Sequence, residues 1–524
     1  MLYSLLEKST KNRPDTIALW SNDFSCTYFE LNEKVKILSA GLLKQGLQKG
    51  DRIASYLHSS PEAIQLYFAC FKIGVSVVVI NPFFREFEIN LLVETAQPKL
   101  FITERALYEN IKKLIQPFSP IINHYYLVDF ASTDGSNNLL PFLDLLNTNY
   151  TIENIGTDVD VKGDQEAVIQ LTSGSTGKSK CVQTNHNQKL FNVKAFESFN
   201  FDHNDKFLVI SPMNTMGALD FHILPAIQYG ATICFLSTNT TNDLYIKQVP
   251  PILYEQNITY LNCISSTLRN IIKEINNFTQ GIYRKNMLRY VFVGGERFPD
   301  LYYENAKKCL GMYPRELYGM TETNGPCAIT ADNPPKCGRF KALNETIKFR
   351  ITNENWEDMP HNTSGEITIY SKTIMTGYLN DEKTTQQVIK DGWLKSGDMG
   401  YLESNGTLNI VGRIKQMVIC NGCNVNLIEL EETLLECDDV HEVCATSVPY
   451  MEFEKPVVFV SIHSFSSKNI AEVEQYLFSY LKKKLADYKI PLYIRILDKL
   501  PKNTNGKIDR KMLKDRALEE SIQD

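Results

Sequence analysis

No run of 18 apolar residues occurs anywhere in this chain, so no segment reads as a membrane-spanning helix. There is no excess of positive charge either. Lys and Arg total 55 against 61 Asp and Glu, a net charge of -6, which leaves no electrostatic footprint for a nucleic acid. The first ten residues lack both the basic start and the long apolar stretch of a signal peptide, and a cytoplasmic location is expected. Leu2, Leu5 and Leu6 read instead as the apolar stripe of a short helix. A disulfide framework is also missing. The 12 cysteines are sparse in 524 residues, and most, such as Cys70 and Cys234, sit inside apolar patterns that suit buried reduced thiols. Cys420, Cys423, Cys437, His441 and Cys444 superficially share zinc-site spacing. Cys437, however, closes a helical pattern that starts at Leu427, so core or surface thiols are the better reading.

What remains is an ordinary globular composition, with 43% hydrophobic and 22% charged residues. A chain of 524 residues exceeds one core, so two or more domains are expected. The first 150 residues alternate helix and strand signals. Leu31 to Gln45 is helical and ends at Gly46; residues 52–56 read as a strand, a helix opens at Pro61, and residues 75–80 are a β-branched strand. The polar stretch 132–138 reads as a loop. Short apolar strands recur at 232–236, 260–264 and 290–293. Such alternation implies a mostly parallel sheet covered on both faces. From Gly365 the pattern turns β-rich, with turn signals at Asn380-Asp381, Asp391-Gly392 and Asn405-Gly406. The last segment, 416–524, has strands and a helix near Val473 to Leu485, the size of a small α+β domain.

The most informative stretch runs from Leu171 to Lys180. Thr172, Ser173, Gly174, Ser175, Thr176 and Gly177 combine glycines, whose backbone N–H groups can approach an anion, with hydroxyl donors. Lys178 and Lys180 add charge without fixed geometry. The composition suits a polyphosphate. It is not a Walker A loop, because Thr172 stands where that motif places its first glycine.

Four further motifs follow in order: Glu316-Leu317-Tyr318-Gly319-Met320-Thr321-Glu322, Ser396-Gly397-Asp398, Val411-Gly412-Arg413 and the stretch Leu500 to Arg510 around Lys507. In sequence and spacing this series resembles the acyl-adenylate-forming superfamily, which includes acyl-CoA synthetases, nonribosomal-peptide adenylation domains and luciferases. The likeness extends from about Thr27 to Arg510. It implies an α/β fold: a large N-terminal domain of mostly parallel sheets flanked by helices with a β-rich subdomain, residues 1–414, and a small mobile α+β domain, residues 415–524, with a hinge at Lys415. It places Cys420 and Cys423 on a strand and loop beside the active site.

The resemblance also implies roles. Residues 172–177 would hold the phosphates that leave as pyrophosphate, with Lys178 and Lys180 as charge donors. Glu322 would bind Mg2+ and Thr321 would donate to the α-phosphate. Tyr318 would stack on adenine, and Gly294, Gly295 and Glu296 would form the opposite wall; Glu316, Leu317, Gly319 and Met320 complete that ATP-binding segment. Asp398 would accept both ribose hydroxyls. Arg413 would lie near ribose and phosphate, and Lys507 would bridge the substrate carboxylate and the α-phosphate. Asn214 and Thr215 fall in the substrate pocket, and His186 matches a histidine that is either structural or substrate-facing. ATP and Mg2+ are the implied cofactors. The implied partners are a carboxylic acid and a thiol, either coenzyme A or carrier-protein phosphopantetheine.

Some positions depart from the pattern. Gln416 replaces the usual acid after the hinge, Asn426 the usual Pro, and Cys181 the usual Gly. Amino-acid-activating relatives carry an Asp near Gly217, where this chain has none; Asp220 could serve only with a shifted register. A free α-amino acid is therefore disfavoured, although Gly294-Gly295-Glu296 and the stretch 506–510 look like that branch. A non-catalytic nucleotide-binding relative would be expected to lose Lys507, Asp398 or Glu322, and all three remain.

Overall fold

The computed structural model describes residues 1–524 except 85, 116–121, 123, 130–138, 148, 150–158, 173–179, 237–241, 280–286, 415–416, 421–422, 451–452, 464–468, 504–505 and 524. The chain forms two compact units. One comprises Met1–Phe349 and Ile369–Lys395; the other comprises Arg350–Thr368 and Ser396–Asp524. This differs from a single boundary at Lys415. Residues 396–414 bond to 350–368, with Ser396 Oγ donating to the Ile367 carbonyl at 2.7 Å and Asn362 N–H to the Leu402 carbonyl at 2.8 Å, and to the C-terminal segment, where Asn426 Nδ2 donates to the Val411 carbonyl at 3.0 Å.

The first unit is built on two sheets. Parallel strands Ile17–Ser21, Thr232–Phe235, Lys206–Val209, Tyr260–Cys263, Tyr290–Gly294 and Arg315–Met320 neighbour one another in that order. Gly325–Thr330 and Arg339–Ala342 extend that sheet antiparallel. In the second sheet Glu166–Leu171, Ser76–Ile80, Arg52–Tyr56, Leu100–Thr103, His124–Leu127 and Leu139–Pro141 are parallel. Cys181–Asn185 and Gly377–Tyr378 close its edge antiparallel. The central strands are rich in buried apolar residues, such as residues 77–80 and 207–209, as sheets covered on both faces require.

Local chemistry sets the helix ends. Helix Tyr28–Lys44 starts at a capping box between Thr27 and Glu30. Helix Pro61–Ile73 has Ser60 as cap, Pro61 in its first turn and left-handed Gly74 at its end. It is buried along nearly its whole length. Helix Tyr3–Asn12 buries Leu5 and Leu6, as the leucine stripe predicts.

Strands Trp393–Leu402 and Leu408–Arg413 form the expected hairpin, which belongs to the second unit from Ser396 onward. Its connection is five residues, 403–407, with the positive φ at Gly406. Val440–Tyr450, Phe453–Ile462 and Ile494–Leu497 make a mixed sheet packed by helices Leu427–Leu435, Ile470–Lys484 and Arg510–Gln523. Cys420 and Cys437 lie in its apolar core, and Cys444 in a second cluster with Phe459 and Leu513. They are core thiols, and no group of three metal-ligating side chains occurs among the described residues. The polar stretch 132–138 lies outside the described residues.

Candidate active site

The glycine-rich stretch lies between two paired strands. Glu166–Leu171 pairs antiparallel with Cys181–Asn185, and Leu171 faces Cys181. Just beyond, Thr172 N–H donates to the Lys180 carbonyl at 2.9 Å, and Lys180 N–H to Thr172 Oγ1 at 3.3 Å. The ladder therefore pins both ends of a glycine-rich segment. Ser173, Gly174, Ser175, Thr176, Gly177 and Lys178 lie outside the described residues. Cys181 is a buried strand thiol.

The Lys180 ammonium lies over the Tyr378 ring, 4.6 Å from its centroid. Strand Gly377–Tyr378 pairs with the strand that leaves the loop, with Tyr378 opposite Val182. Tyr378 Oη then donates to Glu322 Oε1 at 3.0 Å, and Met375 N–H to the Glu322 carbonyl at 2.8 Å. The structure thus brings Lys180 to the ring and Glu322 to the hydroxyl of one tyrosine. Glu322 is 8% exposed, a carboxylate held at the edge of the interior. Sequence reasoning misses Tyr378. Nothing distinguishes it in sequence from the other tyrosines of a chain that has 26.

Glu322 is placed by a sharp exit from strand Arg315–Met320. Residues Thr321–Thr323 form a short 3-10 turn, and Thr323 Oγ1 accepts Met320 N–H at 2.9 Å. Asn324 follows with a positive φ of 54°, and its Nδ2 donates to the Thr373 carbonyl at 2.7 Å. Gly319 is required: a Cβ there would lie 2.2 Å from the Gly325 carbonyl oxygen. Tyr318 is half-buried beside Phe340, and Leu317 is buried. Met320 packs against the cluster that holds Tyr378.

The Glu316 side chain turns to the interior. It is buried, and its carboxylate accepts Phe298 N–H at 2.8 Å, Tyr303 Oη at 3.1 Å and Gly338 N–H at 3.2 Å. Burial pushes its acid up to about 7, against the pull of those donors. It braces the segment after Gly294-Gly295-Glu296. Gly294 lies opposite Leu317, whose carbonyl oxygen would sit 3.2 Å from a Cβ on Gly294. Gly295 has φ 77°, and Glu296 accepts Ser266 N–H at 3.2 Å at the start of helix Ser265–Thr279.

The pocket assignments change most. Asn214 is 1% exposed, and its Oδ1 accepts Tyr67 Oη at 2.7 Å and Ser55 Oγ at 3.1 Å. Its Nδ2 donates to the Leu57 carbonyl at 2.8 Å. It is a core brace, which its sequence neighbourhood does not disclose. Thr215 caps the following turn through Ala218 N–H at 3.2 Å. Asp220 is fully buried against Lys189, at 2.7 and 3.0 Å, with both side chains 0% exposed. No amine-binding acid is therefore available from Asp220. His186 is buried, with Nδ1 accepting Leu2 N–H at 3.4 Å and its ring edge-on to Phe71. Burial pushes it down to about 4, so it is a neutral core residue.

In the second unit, Asp398 and Arg413 face each other across the hairpin, with Arg413 Nε 3.0 Å from Asp398 Oδ1. The Asp398 side chain is 7% exposed and that of Arg413 is 42% exposed. Ser396 Oγ accepts Asp398 N–H at 3.0 Å, so the motif's serine fixes the acid's backbone. Lys507 sits in a tight turn: Asn503 N–H donates to its carbonyl at 2.7 Å, and its own N–H to Asn503 Oδ1 at 3.1 Å. Arg510 anchors the turn through two bonds to Glu431, at 2.6 and 2.7 Å. Asn426, at the position where the resemblance implies proline, caps helix Leu427–Leu435 and donates to the Val411 carbonyl at 3.0 Å. Lys415 and Gln416 lie outside the described residues.

The family model described as AMP-binding enzyme matches residues 6–379. The chain belongs to the AMP-binding enzyme family. The model of this family's C-terminal domain matches residues 429–507. Similar proteins include the medium-chain fatty-acid–CoA ligase of Escherichia coli, 25% identical over 99% of this chain and 90% of that protein. A probable 4-coumarate–CoA ligase of Dictyostelium discoideum is 28% identical over 98% and 94%. A plipastatin synthase component from Bacillus subtilis is 26% identical over 98% of this chain but only 19% of that protein. Among solved structures, an anthranilate CoA ligase in complex with anthranoyl-AMP superposes with a TM-score of 0.88, at 18% identity, over 98% and 97%. The benzoate CoA ligase of Burkholderia xenovorans gives 0.85, at 18% identity, over 98% and 99%. The sheets and helices of this AMP-binding enzyme are thus those of adenylate-forming ligases. No helix among its described residues is long and apolar enough to cross a membrane.

Proposed function

We propose that this AMP-binding enzyme activates a carboxylic acid with ATP and passes the acyl group to the thiol of coenzyme A. A carboxylate oxygen bonds to the α-phosphorus as the bond to pyrophosphate breaks. The thiol sulfur then bonds to the acyl carbon as AMP leaves and the thiol proton is lost. The first step sets an anion against an anion, so it needs positive charge and orientation more than a covalent catalyst. Lys180 and the pinned loop would hold the departing phosphates. Lys507 would neutralise charge between the carboxylate and the α-phosphate. Asp398 and Arg413 would orient the ribose, and a half-open Tyr318 ring would take adenine.

The observation that carries this reading is that Tyr378 meets both Lys180, at the end of the glycine-rich stretch and over its ring, and Glu322, at its hydroxyl. Glu322 would hold a hard cation through its carboxylate, and magnesium held there would shield the phosphate charge. The commitment of Asp220 to Lys189 supports an acid without an α-amino group. Two domains that turn about a hinge at Lys415 would separate the two steps.

A second reading, with carrier-protein phosphopantetheine as acceptor, is favoured by the match of nearly the whole chain to one part of the plipastatin synthase component. Incubation with ATP, coenzyme A and a panel of aryl and aliphatic acids, with mass detection, separates the two. An acyl-CoA product supports the first; acyl-AMP without it supports the second. Asp398→Ala is expected to raise the KM for ATP by about tenfold or more, the loss of a charge-assisted contact. An unchanged KM would remove Asp398 from the ribose.

A further inference from the structure

We infer that Tyr378 is a positioning residue: its hydroxyl holds the Glu322 carboxylate for the metal ion, and its ring links that carboxylate to Lys180. The inference rests on the adenylation reading above. Glu322 and Tyr378 are 56 residues apart, and Oη donates to Oε1 at 3.0 Å within the interior. A carboxylate oxygen that accepts from a fixed donor is restrained about its last torsion, which is how groups behind a metal ligand set its geometry.

The tyrosine is itself well held. Its N–H donates to Thr385 Oγ1 at 2.9 Å, and its neighbours Thr376 and Leu379 donate to the carbonyls of Gln183 and Cys181 at 2.9 and 2.8 Å. Its side chain packs with Val182, Met375 and Leu394. The strand that leaves the phosphate loop therefore carries the segment that orients Glu322. An ammonium 4.6 Å over the ring face draws on its π density, which strengthens the hydroxyl as a donor. Lys180 thereby couples the phosphate loop to the metal carboxylate.

The test is a double-mutant cycle of Tyr378→Phe and Glu322→Gln, read by Mn2+ binding to the enzyme with a non-hydrolysable ATP analogue. Electron paramagnetic resonance counts free Mn2+. Tyr378→Phe is expected to weaken Mn2+ binding about tenfold or more, within the range for groups behind a metal ligand. Metal-free nucleotide binding and the melting temperature are expected to stay as in the wild type, because the ring and its packing persist. In the Glu322→Gln background, Tyr378→Phe is expected to change Mn2+ binding by less than about twofold. Wild-type Mn2+ affinity in the single variant, or an equal loss in both backgrounds, would overturn the inference and leave adenylation standing. A wild-type enzyme that binds no Mn2+–nucleotide complex would overturn the adenylation reading and this inference with it.

Discussion

Lys507→Ala is expected to lower carboxylate-dependent adenylation by about 10²–10³-fold, the loss that follows removal of one preorganised charge-stabilising group. The same variant, given acyl-AMP and coenzyme A, is expected to form thioester at close to the wild-type rate. The asymmetry follows from the chemistry. Only the first step sets a carboxylate against the α-phosphate, and the second attacks an uncharged acyl carbon. The structure makes the variant informative. The turn that carries Lys507 is closed by its backbone and Asn503, and it is anchored by Arg510 on Glu431. Alanine removes the ammonium and leaves those bonds intact. Single-turnover assays of each half-reaction provide the check. Equal loss in both would contradict separate conformations for the two steps.

Lys189→Met is expected to destabilise the fold by about 3–5 kcal/mol, the usual consequence of leaving one partner of a buried pair uncompensated. Lys189 and Asp220 are both fully buried and bond to each other twice. Methionine nearly matches the lysine in volume, so packing is conserved and the charge is lost. Burial already pushes Asp220 upward against the pull of Lys189, and removing the lysine pushes it further. The folded variant then binds a proton at a pH where the unfolded chain is still ionised. Its deficit should be largest at neutral pH and shrink as the pH falls toward the ordinary carboxylate range. Adding Asp220→Leu should recover most of the loss. Denaturant midpoints at several pH values decide it. A loss below about 1 kcal/mol at neutral pH would show that the pair is not desolvated as the structure has it.

Much of the architecture was legible because its signals are local. Gly46, Pro61 and the β-branched run at 75–80 mark element ends and types through backbone chemistry that needs no distant partner. The motif series likewise marked Thr172, Lys180, Asp398 and Arg413, but the strand pairing that joins Thr172 to Lys180 and Asp398 to Arg413 was not among its signals. What escaped depends on contacts across long separations. Asn214 bonds to Ser55, Leu57 and Tyr67, more than 140 residues away, so the resemblance implied a pocket residue where the fold has a brace. Glu316 shares a motif with Glu322, yet one is buried under three donors and the other meets Tyr378. His186 is neutralised by burial against Leu2 and Phe71. Composition and spacing carry none of these pairings.

Exchange of labelled pyrophosphate into ATP, measured with and without added carboxylic acids, tests adenylation most directly because it reports formation of acyl-AMP alone. The account predicts exchange that depends on one class of acid lacking an α-amino group, and its collapse in Lys507→Ala. Exchange driven best by a free α-amino acid would contradict the reading of Asp220. No exchange with any aryl, aliphatic or amino acid would contradict adenylation itself.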